Sequence, residues 1–399
     1  MFNFIKKYNL RSVVNVAIFI FSSQIGSGVF ILPAILSIVG LKGIGILLAV
    51  GGMATVITHI FADTGANSHE IIGKALGNKT GNFFFLLYWF ISWFSTVVLF
   101  KELIGYTGVP YPYGFLIELA IWLFVTLYNI RNLNNILTLE TYLTSLKILP
   151  FIGLLVIYLI SLYKSNLGII TSTSNINIKL FLRCLWGFVG LETGNIIGKT
   201  LNVDNKDRKL GTYIGMIGVI SFYVFSVFFA FKILGTNLLM NNQAPYVSIF
   251  QKGLEGIISE NNIKYLLRFL VIIVLFGSIN SWTISSGYMG YEGGKLNILP
   301  KIFSKINKNN VPYMSIIISS IGVLIFLILG INNNIYNTTV KFIDISTCFF
   351  LLIYAMSVYS YSKVYINNFF KKFLYYSLSL FMLVSFFIEL YSSIGNLFI

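Results

Sequence analysis

Gly26-Ser27-Gly28 sits in the middle of an apolar run, Phe21 to Ile31, that with its flanks is long enough to cross a bilayer. Two glycines around a serine disfavour a continuous helix. An unpaired backbone group in hydrocarbon costs several kcal/mol, roughly, so irregular backbone at that depth must be buried in protein or line a cavity. The spacing therefore predicts an unwound helix at a ligand site. A second interruption follows at Cys184-Leu185-Trp186-Gly187-Phe188-Val189-Gly190-Leu191-Glu192-Thr193-Gly194. Two glycine-interrupted spans in corresponding positions of two halves point to an inverted repeat with a binding site between them. The chemistry of such a site is specific: half-helix amides favour a carboxylate, while freed carbonyls favour an ammonium or a cation. Together they suit an α-amino acid. Trp186 beside the break, and Trp282 further along, could close over a ligand or stack on a cationic side chain.

Two ionisable residues lie too deep for ordinary surface roles. Lys147, in Ser145-Leu146-Lys147-Ile148-Leu149-Pro150, stands about ten residues into its span, too far to snorkel, and is a proton-carrier candidate. Glu192 lies about a turn beyond the second break and could carry a proton or link gating to protonation. The spacing from Arg183 does not favour an ion pair along one helix. Ser92 and Thr96, four apart, share a helix face and suit either helix–helix hydrogen bonding or ligand contact. Lys101 and Glu102, near the end of the same span, are expected to reach the interface, Glu118 has no evident partner, and His69 is expected to be solvated. Asp344, Ser346 and Thr347 add a polar patch to a later span.

The elements that must position these residues are membrane helices. The chain has 399 residues, 56% hydrophobic and only 10% charged, with a mean hydropathy of +0.82. A span needs about 20 apolar residues, and about eleven candidates fall at 13–38, 43–62, 82–105, 112–130, 137–163, 177–198, 211–236, 264–292, 313–331, 338–361 and 371–393. The first run continues to Ile38 without a small-residue cleavage pattern and reads as a retained span rather than a secretory signal. Lys and Arg concentrate in alternate loops, with Lys6, Lys7 and Arg11 at the start, Lys199, Lys206, Arg208 and Lys209 midway, and Lys295, Lys301, Lys305 and Lys308 later, which places the N-terminus in the cytoplasm.

The net charge of +15 is spread over these loops and reports topology rather than nucleic-acid binding. With two histidines in all, no carboxylate pair at metal spacing and no nucleophile elbow, an enzyme is disfavoured, and no catalytic residue, metal or cofactor is expected. Cys184 and Cys348 read as small apolar fillers within spans. Heavy use of Ile, Asn, Lys, Phe and Tyr suggests an AT-rich bacterial genome.

The motifs in order resemble the amino acid–polyamine–organocation transporters, and within them the basic amino acid and polyamine antiporters. Gly26-Ser27-Gly28-Val29-Phe30 with Leu32-Pro33-Ala34 matches the first-helix signature, and Leu185 to Glu192 resembles the sixth helix. Ser281-Trp282-Thr283 with Leu299-Pro300, Phe303, Asn307 and Pro312 fits the eighth helix and the loop after it.

The resemblance implies an all-α polytopic membrane protein with a five-plus-five inverted repeat, broken first and sixth helices, and two further helices in the family norm of twelve. Here one transmembrane domain, 1–399, would comprise repeats at about 13–163 and 177–361 and an extra helix at about 371–393. It places Ser23, Gln24, Gly26, Ser27, Gly28, Ser92, Thr96, Trp186, Gly190, Trp282 and Ser346 at the substrate site. Trp186 would act as a gate and Trp282 would face a cationic side chain. Lys147 and Glu192 would serve gating or proton coupling, Lys147 resembling a lysine whose ammonium replaces a sodium ion.

The expected function is exchange of cationic amino acids or polyamines across a bacterial inner membrane by alternating access. A proton-coupled symporter using Lys147 and a non-transporting amino-acid sensor are the alternatives. The partners would be the small-molecule substrate, protons in the symport case and the lipid bilayer, without nucleic acid, and a homodimer is the candidate assembly.

Overall fold

The computed structural model describes residues 8–110, 113–240, 245–331 and 335–395; Lys6 and Lys7 lie outside the described residues. Every regular element is helical among the described residues. The first predicted span is two helices, α1 (Leu10–Gln24) and α2 (Ser27–Ser37), bent by 52° where Ile25 and Gly26 leave helical geometry. The chain continues through α3 (Lys42–Thr64), a short α4 (Ser68–Leu76), α5 (Asn78–Thr107), α6 (Tyr113–Asn129), α7 (Leu133–Leu146) and α8 (Leu149–Tyr163). The α7–α8 junction falls at Lys147-Ile148, just ahead of Pro150, whose missing N–H removes a helical hydrogen bond and kinks what is otherwise one 30-residue span.

The second half opens with α9 (Ile178–Trp186) and α10 (Thr193–Thr200), separated by the unwound Gly187 to Glu192. It continues with α11 (Asn205–Leu234), α12 (Thr236–Leu239), α13 (Pro245–Gly253) and α14 (Glu260–Lys295). A 3₁₀ turn (Lys301–Ser304), α15 (Tyr313–Leu329), α16 (Ile335–Tyr365) and α17 (Phe369–Gly395) complete it.

Seven of these spans are long and apolar enough to cross a membrane singly, and α1 with α2 qualifies as a bent pair. With the shorter apolar α6 and α15 and the second interrupted pair, α9 and α10, they fill the positions read from the sequence. The surface supports the same reading. Large apolar side chains such as Leu116, Phe124, Ile152, Leu159, Phe269, Phe373 and Phe387 are exposed along the long helices, where water would penalise them and hydrocarbon does not. Inside, α1 packs on α11, and α5 lies between α14 and α16, so the two broken helices are enclosed by the long straight ones.

Burial corrects three expectations. Lys101 does not reach the interface: it is 1% exposed and pairs with Glu118 at 3.0 Å, so Glu118 has the partner that its sequence position hides. Glu102 is likewise buried, 7% exposed. His69 is buried edge-on against Phe85, with ring centroids 4.9 Å apart, because α4 folds in under the helices instead of lying in solvent. Removing one partner of a desolvated ion pair strands the other charge. Glu118→Ala is therefore expected to lower the thermal unfolding midpoint by the equivalent of about 3–5 kcal/mol, and the double change Lys101→Met, Glu118→Leu by much less. Equal losses for the two, read by thermal unfolding of purified protein, would contradict the pairing.

Candidate substrate site

A helix that ends inside the bundle leaves carbonyls without amide partners. At the first break, Phe21 O is taken by the Ile25 amide. The next four carbonyls are each satisfied by a side chain from elsewhere. Lys147 Nζ donates to Ser22 O at 2.6 Å, Trp282 Nε1 to Ser23 O at 3.1 Å, Tyr223 Oη to Gln24 O at 2.7 Å and Ser278 Oγ to Ile25 O at 2.9 Å. Donors from the α7–α8 junction, α11 and α14 thus hold the end of α1 in place. On the far side, Gly26 caps α2 without a side chain, so the first amides of α2 point into the gap with their positive end forward.

The second break is built to meet the first. A Cβ on Gly28 would stand 3.0 Å from the Gly187 Cα and 2.7 Å from Tyr223 Oη, so the first turn of α2 reaches the second break only because Gly28 lacks a side chain. Gly190 has φ of +96°, a conformation that L side chains rarely adopt, and a Cβ there would come within 3.2 Å of the Trp282 ring. The Gly190 and Leu191 amides both donate to Tyr354 Oη, at 3.2 and 3.4 Å. Trp186 Nε1 donates to Ser27 Oγ at 2.6 Å and ties the two breaks together.

Between them lies a small, tightly closed cavity. Ser23, Gln24, Gly26, Ser27, Gly28, Trp186 and Trp282 line it, and Gly190 packs against the Trp282 wall. Ser92 and Thr96 do not line it. Their hydroxyls are spent on their own helix, donating to Trp89 O at 2.6 Å and Ser92 O at 2.8 Å, while Ser95 and Leu99 present the cavity face of α5. Ser346 is buried outside the lining. Val189 completes the wall from the second break.

Lys147 is fully buried below the cavity and also donates to Ser22 Oγ at 2.7 Å and Ser278 Oγ at 3.0 Å. The Ser22 hydroxyl in turn donates to Glu140. Asn280 Nδ2 donates to the other Glu140 oxygen at 2.7 Å, and Asn129 Nδ2 to Asn280 Oδ1 at 2.8 Å. Glu140 is the acidic group that sequence reading missed. The available signal was its sevenfold spacing from Lys147, which puts opposite charges on one face of one span.

Glu192 accepts from the Ser68 hydroxyl rather than meeting Arg183, which pairs with Asp344 at 3.5 Å. That contact opens a wider network. Asn67 caps α4 reciprocally with Glu70, whose carboxylate accepts from the Asn67 amide at 2.7 Å. Asn195 Nδ2 donates to Asn67 Oδ1 at 2.6 Å, and Lys199 Nζ reaches Glu70 at 2.6 Å and Glu292 at 3.3 Å. Burial pushes the Glu70 carboxyl up, but the Lys199 ammonium beside it holds it below the ordinary glutamate value. His69, Glu70 and Glu292 bring one ligand atom each within 4.8 Å of one another, and the Lys199 ammonium bridges the two carboxylates.

The amino acid permease family model matches residues 12–398. The chain belongs to that family. A protein described as a putative arginine/ornithine antiporter of Bacillus subtilis is 23% identical over 401 residues, 88% of this chain and 83% of the relative. A cadaverine/lysine antiporter of Escherichia coli strain K12 is 24% identical over 349 residues, 77% of this chain and 72% of the relative. Among solved structures, Mhp1, a nucleobase-cation-symport-1 family transporter in a closed conformation with bromovinylhydantoin bound, matches with a TM-score of 0.58 at 14% identity. That likeness covers 94% of this chain and 91% of that one and bears on the fold alone. This permease is an integral membrane transporter of amino acids, not an enzyme, and its all-helical polytopic fold with two broken helices is that of the five-plus-five transporters.

Burial pushes the His69 pKa from 6.5 down to about 4. Between those values the unfolded chain binds more protons than the folded one, so stability falls as pH drops from 6.5 toward 4. His69→Phe is expected to flatten that acid-side fall in the unfolding temperature of the permease; an unchanged slope would remove His69 as its source.

Proposed function

We propose that the permease exchanges cationic amino acids, or a cationic amino acid for a diamine, across the bacterial inner membrane with its N-terminus in the cytoplasm. One observation carries this reading. At the first break the carbonyl end is fully occupied by side-chain donors, while the amide end of α2 faces the cavity enclosed between the two breaks. The free end recognises a carboxylate, and Ser23, Gln24, Ser27 and the close glycines Gly26, Gly28 and Gly190 form the head-group region. Trp186 is the gate, because its hydrogen bond to Ser27 must yield when the halves separate. Trp282 is the aromatic wall against which a cationic side chain stacks.

Exchange rather than ion-driven symport is supported by Lys147. Its ammonium is fastened to three acceptors and balanced by Glu140 through Ser22, a resident cation where a mobile coupling ion would otherwise be needed. The likeness to a putative arginine/ornithine antiporter and a cadaverine/lysine antiporter lends the same reading weight. Glu192, hydrogen-bonded to Ser68 at the base of the second break, couples closure of the α4 network to the site.

Reconstituted vesicles test the proposal. Vesicles preloaded with lysine or ornithine are expected to take up labelled lysine, and empty vesicles to take up none with or without a pH gradient. Uptake into empty vesicles driven by an inward proton gradient, and lost in Lys147→Ala, would replace exchange with proton symport. Binding of lysine with no flux in either condition would make the protein a sensor.

A further inference from the structure

Glu102 is the one acidic side chain beside the cavity that the network around the breaks does not use. It stands one turn, about 5 Å along the axis, beyond Leu99, on the same side of α5 as Ser95 and Leu99, which line the cavity. It is 7% exposed, and neither carboxylate oxygen has an aligned hydrogen bond among the described residues. The Ser27 hydroxyl lies next to it, accepting from Trp186 Nε1 and keeping its own proton free to turn toward the carboxyl. Of the phenols in its field, Tyr223 donates to Gln24 O, while Tyr106 belongs to an aromatic wall with Phe30 and Tyr246, whose rings lie 5.5 and 5.0 Å from Phe30. The neighbouring ammonium, Lys101, is turned to Glu118.

A desolvated carboxyl without an aligned partner is costly in its ionised form and is relieved either by holding its proton or by a cation that comes to it. Here such a group stands one turn beyond the cavity wall at Leu99, beside the cavity-lining Ser27 and near aromatic rings whose faces also attract cations. We propose that Glu102 receives the side-chain ammonium or guanidinium of the substrate at the end of the cavity toward Tyr106 and Tyr246, and so selects cationic over neutral amino acids. The inference rests on the cationic exchange reading and names the residue that imposes it. With the α-carboxylate at the α2 amides beside Gly26 and Ser27, a side chain of ornithine or lysine length spans the turn from Leu99 to Glu102. Glu102 is a specificity-determining residue in this account, distinct from the head-group contacts.

The test compares lysine with norleucine, which has the same chain length and no ammonium, as competitors of uptake in preloaded vesicles. The wild-type permease is expected to prefer lysine, and Glu102→Gln to reduce that preference by roughly 10- to 100-fold, the loss of one charge-assisted contact. Glu102→Asp should restore part of it. An unchanged preference in Glu102→Gln, with lysine still exchanged, would overturn the role of Glu102 and leave the cationic reading standing. A wild-type protein that does not prefer lysine would overturn both.

A second measurement needs no variant. In the wild-type protein, modification of Glu102 by a hydrophobic carbodiimide, mapped by mass spectrometry, is expected to be blocked by lysine and not by norleucine. Equal protection by both, or by neither, would overturn the assignment.

Discussion

The structure depends on how unpaired backbone is satisfied where water is absent. Each carbonyl released when α1 stops at Gln24 would cost several kcal/mol, roughly, in a hydrocarbon environment. Four donors on three other parts of the chain meet that demand: Lys147, Tyr223, Ser278 and Trp282. This arrangement fixes where α11 and α14 must lie relative to the break, and it sets Lys147 and Trp282 on one side of the cavity. It also explains the asymmetry of the site. The carbonyl half of the break is closed by protein, whereas the amide half, capped only by Gly26, has no side-chain cap.

The two breaks are coupled by contact as well as by symmetry. Gly28 against Gly187, and Trp186 on Ser27, make the unwound segments a single unit. The α4 network extends that unit to the end of the bundle rich in Lys and Arg, since Ser68 reaches Glu192 while Asn67 and Glu70 engage Asn195 and Lys199. Separation of the halves must therefore break a defined set of polar contacts at the base of the second break together with the tryptophan contact above it. A fastened Lys147 with its own buried counter-charge fits a cycle in which the substrate, rather than an ion, supplies the energy for that separation.

Much of this was legible in the sequence because its strongest signals were violations. Glycines inside apolar spans marked both breaks, and Trp186 and Trp282 stood out beside so few polar neighbours. What was not legible was register and long-range pairing. Ser92 and Thr96 have the right spacing for one face, but α5 turns Ser95 and Leu99 to the cavity, a rotation that only its packing between α14 and α16 decides. Glu118 found Lys101 on a different helix, Glu140 found Lys147 through the Ser22 hydroxyl of a third, and His69 was buried by the tertiary placement of α4. The Lys101–Glu118 pairing and the burial of His69 are set by contacts between different helices, to which periodicity within one span is blind, whereas the Glu140–Lys147 spacing was visible and only the bridging Ser22 was not.

The central claim is that the paired breaks hold the substrate by its carboxylate. A structure of the permease in lipid nanodiscs saturated with an exchanged cationic amino acid tests it most directly. The account predicts ligand density between Trp186 and Trp282, with the α-carboxylate at the Ser27 and Gly28 amides. Density for a functionally competent ligand away from both breaks, with the α2 amides unengaged, would contradict it.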